Sequence, residues 1–110
     1  MDSLIVREYL TRENESPYRV WLSSLDKTVR ARIQARVMRF ERGNLGDAKP
    51  LVDGVWEARL MFGAGYRIYF ALDGHTVLLL LLGGDKRTQE KDIRQAQQYW
   101  DDYRKRGKDD

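Results

Sequence analysis

The sequence contains no cysteine, which excludes disulfides and thiolate metal sites, and its single histidine, His75, cannot build a zinc site alone. Long hydrophobic runs are also missing. The longest, Val77 to Leu82, falls far short of the ~20 apolar residues that a membrane-spanning helix needs. No basic stretch followed by an apolar segment opens the chain, so the expectation is a soluble, cytoplasmic protein without membrane association. Neither charge sign dominates: 20 Lys and Arg against 17 Asp and Glu leave a net charge of +3, which permits a polyanionic partner without selecting one. What remains is ordinary globular composition, 42% hydrophobic over 110 residues. That predicts one domain spanning residues 1–110, with 103–110 expected to form a frayed, charged tail.

The first half reads as a strand followed by a helical hairpin. In "SLIVREYL", Leu4, Val6 and Glu8 share one strand face and Ile5, Arg7 and Tyr9 the other. Ser16 then offers a cap and Pro17 a first helical position, ahead of the stripe Tyr18, Trp21, Leu22 and Leu25. Asp26 can cap a second helix with the stripe Val29, Ile33, Val37 and Phe40, and Gly43 is its natural stop. Its arginines, Arg30, Arg32, Arg36, Arg39 and Arg42, are expected mostly on a solvated face, with phosphates or an acidic partner as the alternative use.

After the loop "GNLGDAKPLVDG", register decides where two arginines point. Trp56, Ala58, Leu60 and Phe62 alternate with Glu57, Arg59 and Met61; Tyr66, Ile68 and Phe70 alternate with Arg67, Tyr69 and Ala71. A two-residue turn at Gly63-Ala64 would pair Leu60 with Arg67 and wet the core. A three-residue loop, Gly63-Ala64-Gly65, pairs Leu60 with Ile68, Arg59 with Tyr69 and Met61 with Arg67. This second register gathers Arg59, Arg67, Tyr69 and Glu57 on one face.

A two-residue Asp73-Gly74 turn leads to "TVLLLLLG", apolar on both faces and therefore a central strand covered on each side. One cover is the helical hairpin. The other is a last helix, capped by Thr88, with Glu90 and Asp92 in its first turn and the stripe Ile93, Ala96, Trp100 and Tyr103. In "GGDKRT" the glycines are expected to turn the chain sharply and to leave Lys86 and Arg87 at the mouth of a groove over the arginine face. Trp21, Trp56 and Trp100 fall on core stripes and read as packing residues.

The order strand, helical hairpin, three-stranded meander and terminal helix, with "WEARLMFGAGYRIYF", "LLLGGDKRTQEKDI" and "GNLGDAKPL", resembles the HigB-like branch of the RelE/ParE toxin superfamily. The likeness is closest to the phage Gp49-like killer proteins of addiction modules. It implies an α+β fold of the RelE kind, β-α-α-β-β-β-α, with a mainly antiparallel sheet, the hairpin on one face and the C-terminal helix on the other. The implied activity is cofactor-free endonucleolytic cleavage of mRNA, often on the ribosome. The implied partner is an antitoxin from an adjacent gene, commonly a helix-turn-helix protein, forming a heteromer with a toxin that is monomeric alone. Relatives that poison DNA gyrase, and a binding module without catalysis, are the alternatives.

Cleavage by attack of a ribose 2′-OH requires an aligned backbone, stabilised charge on the phosphate and two proton movements. Arginine suits the phosphate because its planar fork donates two parallel hydrogen bonds. Arg59 and Arg67 take that role here, with Lys86 as a further catalytic candidate and Arg87 and Lys49 as phosphate contacts. The bland alternative is an arginine that merely pairs with Glu57 or Asp85. Several superfamily members use a tyrosine early in the final helix, whereas "TQEKDIRQ" has none. Tyr69, Glu57 and Lys86 are the substitutes for proton transfer, and His75 reads as an exposed turn residue.

Overall fold

The computed structural model describes residues 2–109. Five strands, β1 (Ile5–Glu8), β2 (Ala48–Pro50), β3 (Val55–Leu60), β4 (Tyr66–Asp73) and β5 (Val77–Gly84), form one sheet in the order β1-β5-β4-β3-β2. Three helices accompany them: α1 (Pro17–Ser23), α2 (Lys27–Glu41) and α3 (Gln89–Asp109). The fold is α+β and mostly antiparallel, because β3, β4 and β5 are joined by short loops; only the β1–β5 pair is parallel. β2 is an addition to the expected element order. Its loop folds back on β3 through Asp53 and Gly54, both at positive φ, so that Lys49 lies opposite Glu57.

Local chemistry sets the helices as expected. Ser16 accepts from the Arg19 N–H with Pro17 at the start of α1, Asp26 accepts from the Val29 N–H, and Gly43 past the end of α2 has φ +83. Both faces of the sheet are covered. On one, Tyr18, Leu22, Ile33 and Phe40 from the hairpin pack on Leu4, Ala58, Leu60, Ile68, Phe70, Leu78 and Leu80. On the other, Ala96 and Trp100 of α3 pack on Tyr9, Val55, Tyr69, Ala71, Leu79 and Leu81, with Ile93 and Tyr103 at the margin. A bulge between Tyr69/Phe70 and β5 turns Leu81 and Leu82 both toward α3. All three tryptophans pack against these cores.

Five expectations need correction. Arg59 pairs with Arg67, and Leu60 with Tyr66, across a five-residue loop, 61–65. The chain leaves the β3 ladder at once because Phe62 N–H turns back to the Leu60 carbonyl and Gly65 N–H to that of Phe62, with the Phe62 and Tyr66 rings 5.2 Å apart. The β4–β5 connection has three residues, 74–76, since Asp73 lies opposite Val77. Gly83 and Gly84 continue β5 and make space where the expectation was a turn: a Cβ on Gly83 would lie 2.0 Å from the Trp21 ring and one on Gly84 1.8 Å from Asp92 Oδ2. Asp85, not Thr88, opens the final helical segment, capping a 3-10 turn (Lys86–Thr88) that runs into α3. Residues 103 onward are helical through Asp109 where a frayed tail was expected: Tyr103 donates to Asp73 at 2.8 Å and Arg106 to the Leu10 carbonyl. Asp110 lies outside the described residues.

Candidate functional site

The register brings the expected residues to one end of the sheet. Arg59 and Arg67 are direct cross-strand partners, Glu57 lies opposite both Tyr69 and Lys49, and Gly84 lies opposite Arg67. The 61–65 loop carries Lys86 into the group: the Lys86 N–H bonds to the Ala64 carbonyl, and a Cβ on Gly65 would stand 3.4 Å from both Arg67 Nη1 and Lys86 Cβ. A bulkier residue there would crowd both cations.

These side chains differ sharply in access. Glu57 is 1% exposed and Tyr69 is fully buried, so both stand behind Arg67 and away from solvent. Gln89, at the start of α3, donates to Glu57 Oε2 at 2.8 Å, and the Arg67 Nε lies 3.7 Å from the same oxygen. Arg67 is itself only 9% exposed; its Nη1 donates to the Gly65 carbonyl at 2.7 Å. Glu57 Oε1, Arg67 Nε and the Tyr69 hydroxyl are buried without hydrogen-bond partners. Burial, reinforced by the charges of Glu57 and Asp92, pushes the Tyr69 phenol well above its ordinary range. Tyr69 is therefore a poor proton acceptor at neutral pH.

Arg59 is the open arginine, with 41% of its side chain exposed and its Nε 3.5 Å from Asp47 Oδ2. Arg87 is more exposed still and pairs with Asp85 at 3.3 Å, the scaffold contact weighed as the bland alternative. Lys86 and Lys49 are exposed and, among the described residues, have no carboxylate partner. A groove of about 480 Å³ does lie beside Lys86 and Arg87, but its other walls are Thr88, Gln89, Glu90, Lys91 and Arg94. It runs along the first turns of α3, so Arg59 and Arg67 do not line it. His75 is exposed at the opposite turn.

Two supporting residues were not anticipated. Gln89 was unremarkable in sequence, since nothing marks which polar residue of a helix start will meet a strand carboxylate. Arg36 was assigned to the solvated face, yet it is buried and donates to the carbonyls of Leu45 (3.3 and 3.1 Å), Asp47 (2.9 Å) and Arg59 (2.8 Å). Burial, then the nearby Arg39, lowers its pKa from the ordinary arginine value. By tying the carbonyls of Asp47 and Arg59 together, Arg36 fixes the two backbones from which the Asp47–Arg59 pair projects. Its position was readable: residue 36 falls on the stripe of Ile33, Val37 and Phe40.

The chain resembles known sequences across this whole region. The family model described as "Phage derived protein Gp49-like (DUF891)" matches residues 20–101, which include every candidate site residue. An uncharacterized protein of Haemophilus influenzae (strain ATCC 51907 / DSM 11121 / KW20 / Rd) is 47% identical over 77 residues, covering 69% of this chain and 78% of that protein.

Proposed function

Because the chain belongs to the Gp49-like phage-derived family, a family of RelE-like addiction-module killers, we propose that it is the toxin of a toxin–antitoxin pair and arrests translation by endonucleolytic cleavage of mRNA. The observation that carries this reading is the cross-strand pair Arg59–Arg67 with Lys86 seated beside it. Arg59 presents an open guanidinium fork and Arg67 an edge held in place by Glu57 and Gly65. Charge developing on a scissile phosphate would meet donors that need no reorganisation.

The reaction suited to such a site forms a bond from the ribose 2′ oxygen to phosphorus and breaks the bond from phosphorus to the 5′ oxygen. Its products are a 2′,3′-cyclic phosphate and a 5′-hydroxyl. Arg59 and Arg67 hold the phosphoryl oxygens, with Arg87 and Lys49 as outer phosphate contacts. The Lys86 ammonium supplies the proton to the leaving 5′ oxygen, and the 2′ proton departs to water. Glu57 and Tyr69 are positioning residues in this scheme, because neither reaches solvent. The partner is a cognate antitoxin, and the ribosome is the setting in which the mRNA is met.

Induced expression followed by mapping of transcript 5′ ends tests the proposal. New ends clustered within translated frames are expected. Intact transcripts accompanied by a DNA-damage response would transfer the activity to gyrase.

A further inference from the structure

At the end of the sheet that carries Arg59, on the hairpin side, lies a second cationic cleft. Leu60, Met61 and Phe62, the residues directly after Arg59, wall a depression of about 160 Å³ together with Arg32, Arg36 and Arg39 of α2. Arg36 is committed to the three carbonyls beneath it, which leaves Arg32 and Arg39 as the exposed cations. Neither has a carboxylate partner among the described residues. The Arg32 guanidinium lies over the Phe62 ring at 3.7 Å, and Phe62 in turn packs on Tyr66. Beside this stack Met61 is 80% exposed, an unbranched apolar side chain held out from the loop.

We propose that this cleft is a nucleotide subsite for the single-stranded RNA running on from the Arg59–Arg67 phosphate position, with Arg32 stacking a base against its outer face and Arg39 meeting a phosphate. The inference rests on the nuclease reading above and extends it to the path of the substrate. One observation favours RNA over an acidic peptide. A planar cation already supported from below by an aromatic ring has one flat face left, and a base offers a π-face to it where a carboxylate side chain does not. The cleft opens at the end of β3 that carries Arg59 but on the hairpin side of the sheet, so a chain bound at the arginine pair reaches it by passing around the strand end.

The test uses the purified protein and a 2′-O-methyl oligoribonucleotide of about a dozen nucleotides, which lacks the attacking hydroxyl and so reports binding alone. Affinity is measured across a salt series for wild type, Arg32→Lys, and the double variant Arg32→Ala/Arg39→Ala, with folding of each confirmed by circular dichroism. The double variant is expected to lower the salt slope by about 0.7, the contribution of the one phosphate contact assigned to Arg39 on a single strand. Arg32→Lys keeps the charge and the slope but loses the stack, weakening binding by between about fivefold and about a hundredfold. A double variant with the wild-type slope, or Arg32→Lys with wild-type affinity, overturns the inference. Loss of polyglutamate binding in the double variant with RNA binding unchanged would also overturn it, making the cleft a protein contact. Wild type that binds the oligonucleotide through this cleft yet cleaves no RNA sinks the nuclease reading alone; wild type that binds no RNA sinks both.

Discussion

Replacing Arg36 with methionine isolates the contribution of one buried guanidinium to both fold and site. Methionine keeps an unbranched stem against Phe40, so the packing term changes little. What disappears are the bonds to the carbonyls of Leu45, Asp47 and Arg59. A bond to a charged donor contributes roughly 1.5–3 kcal/mol, and a carbonyl left buried without a partner costs about 1–3 kcal/mol. Partial hydration of the rim offsets some of this, and a net loss of about 3–5 kcal/mol is expected, the range for stripping a buried charge network of one member. Against a total stability of roughly 5–15 kcal/mol, such a loss leaves a marginal domain. With a urea dependence of about 1.5 kcal/mol per molar, the midpoint should fall by about 2–3 M at unchanged slope. Arg32→Met, four residues earlier on the exposed face, should stay within about 0.5 kcal/mol of wild type. A midpoint shift below about 0.5 M for Arg36→Met would mean that water already serves those carbonyls, and the assignment of Arg36 as the anchor of Asp47 and Arg59 would be wrong.

Arg59→Ala should stay folded by circular dichroism and lose growth arrest at matched expression; a folded variant that still kills removes Arg59 from the activity. Arg67→Ala should lose activity and also stability, by about 3–5 kcal/mol, because it strands the buried Glu57, a cost that Glu57→Gln in the same chain should partly relieve in urea titrations. Gly83→Ala drives a methyl group into the Trp21 ring and should cost about 1–3 kcal/mol, read as a drop in melting temperature with quenched or shifted tryptophan emission. Tyr9→Phe removes the 2.6 Å bond to Asp102, and that bond, then the nearby Arg106 and Arg12, holds the Asp102 carboxyl below its usual range. A depressed carboxylate pKa contributes stability above its unfolded value of about 3.9 and loses it as pH falls through the folded value. Tyr9→Phe should therefore be less stable by about 1 kcal/mol at pH 7, with the difference vanishing in more acidic buffer; a pH-independent difference would point to lost packing instead.

Much of this architecture was legible in sequence because parity along a strand is robust where register is not. The observed pairing of Leu60 with Tyr66 differs by two residues from the expected pairing with Ile68, and a shift of two leaves every side chain on its original face. Arg59, Arg67, Glu57 and Tyr69 were accordingly grouped correctly from a wrong register. Loop length was not legible, since Gly63 and Gly65 both take positive φ and satisfy several turns equally well. β2 was missed because three residues containing a proline carry no periodicity. Depth was harder still. Arg67 was expected off the core and is nearly buried, because α3 crosses the sheet close enough to place Gln89 on Glu57. That distance depends on Gly84, whose missing side chain admits Asp92, and no local rule in the sequence expresses it.

The one parallel pairing in the sheet also determines when its edge strand can dock. Ile5 waits for Val77, and the Tyr9 hydroxyl waits for Asp102, so β1 has no sheet neighbour until a strand 72 residues further along exists. At roughly 5–20 residues per second, the stretch from Ile5 to Val77 takes about 4–14 s to synthesise, and contacts this distant in sequence are among the slowest to form. Until β3 and β4 exist the hairpin's apolar stripe has no sheet to cover it, and until Lys86 is added Arg67 lacks the cation beside it. A chain cut short within α3 lacks the clamp that closes the sheet. A complete site thus waits for β5 and α3, and a binding partner already in the cell can meet each new molecule while its apolar stripe is still uncovered.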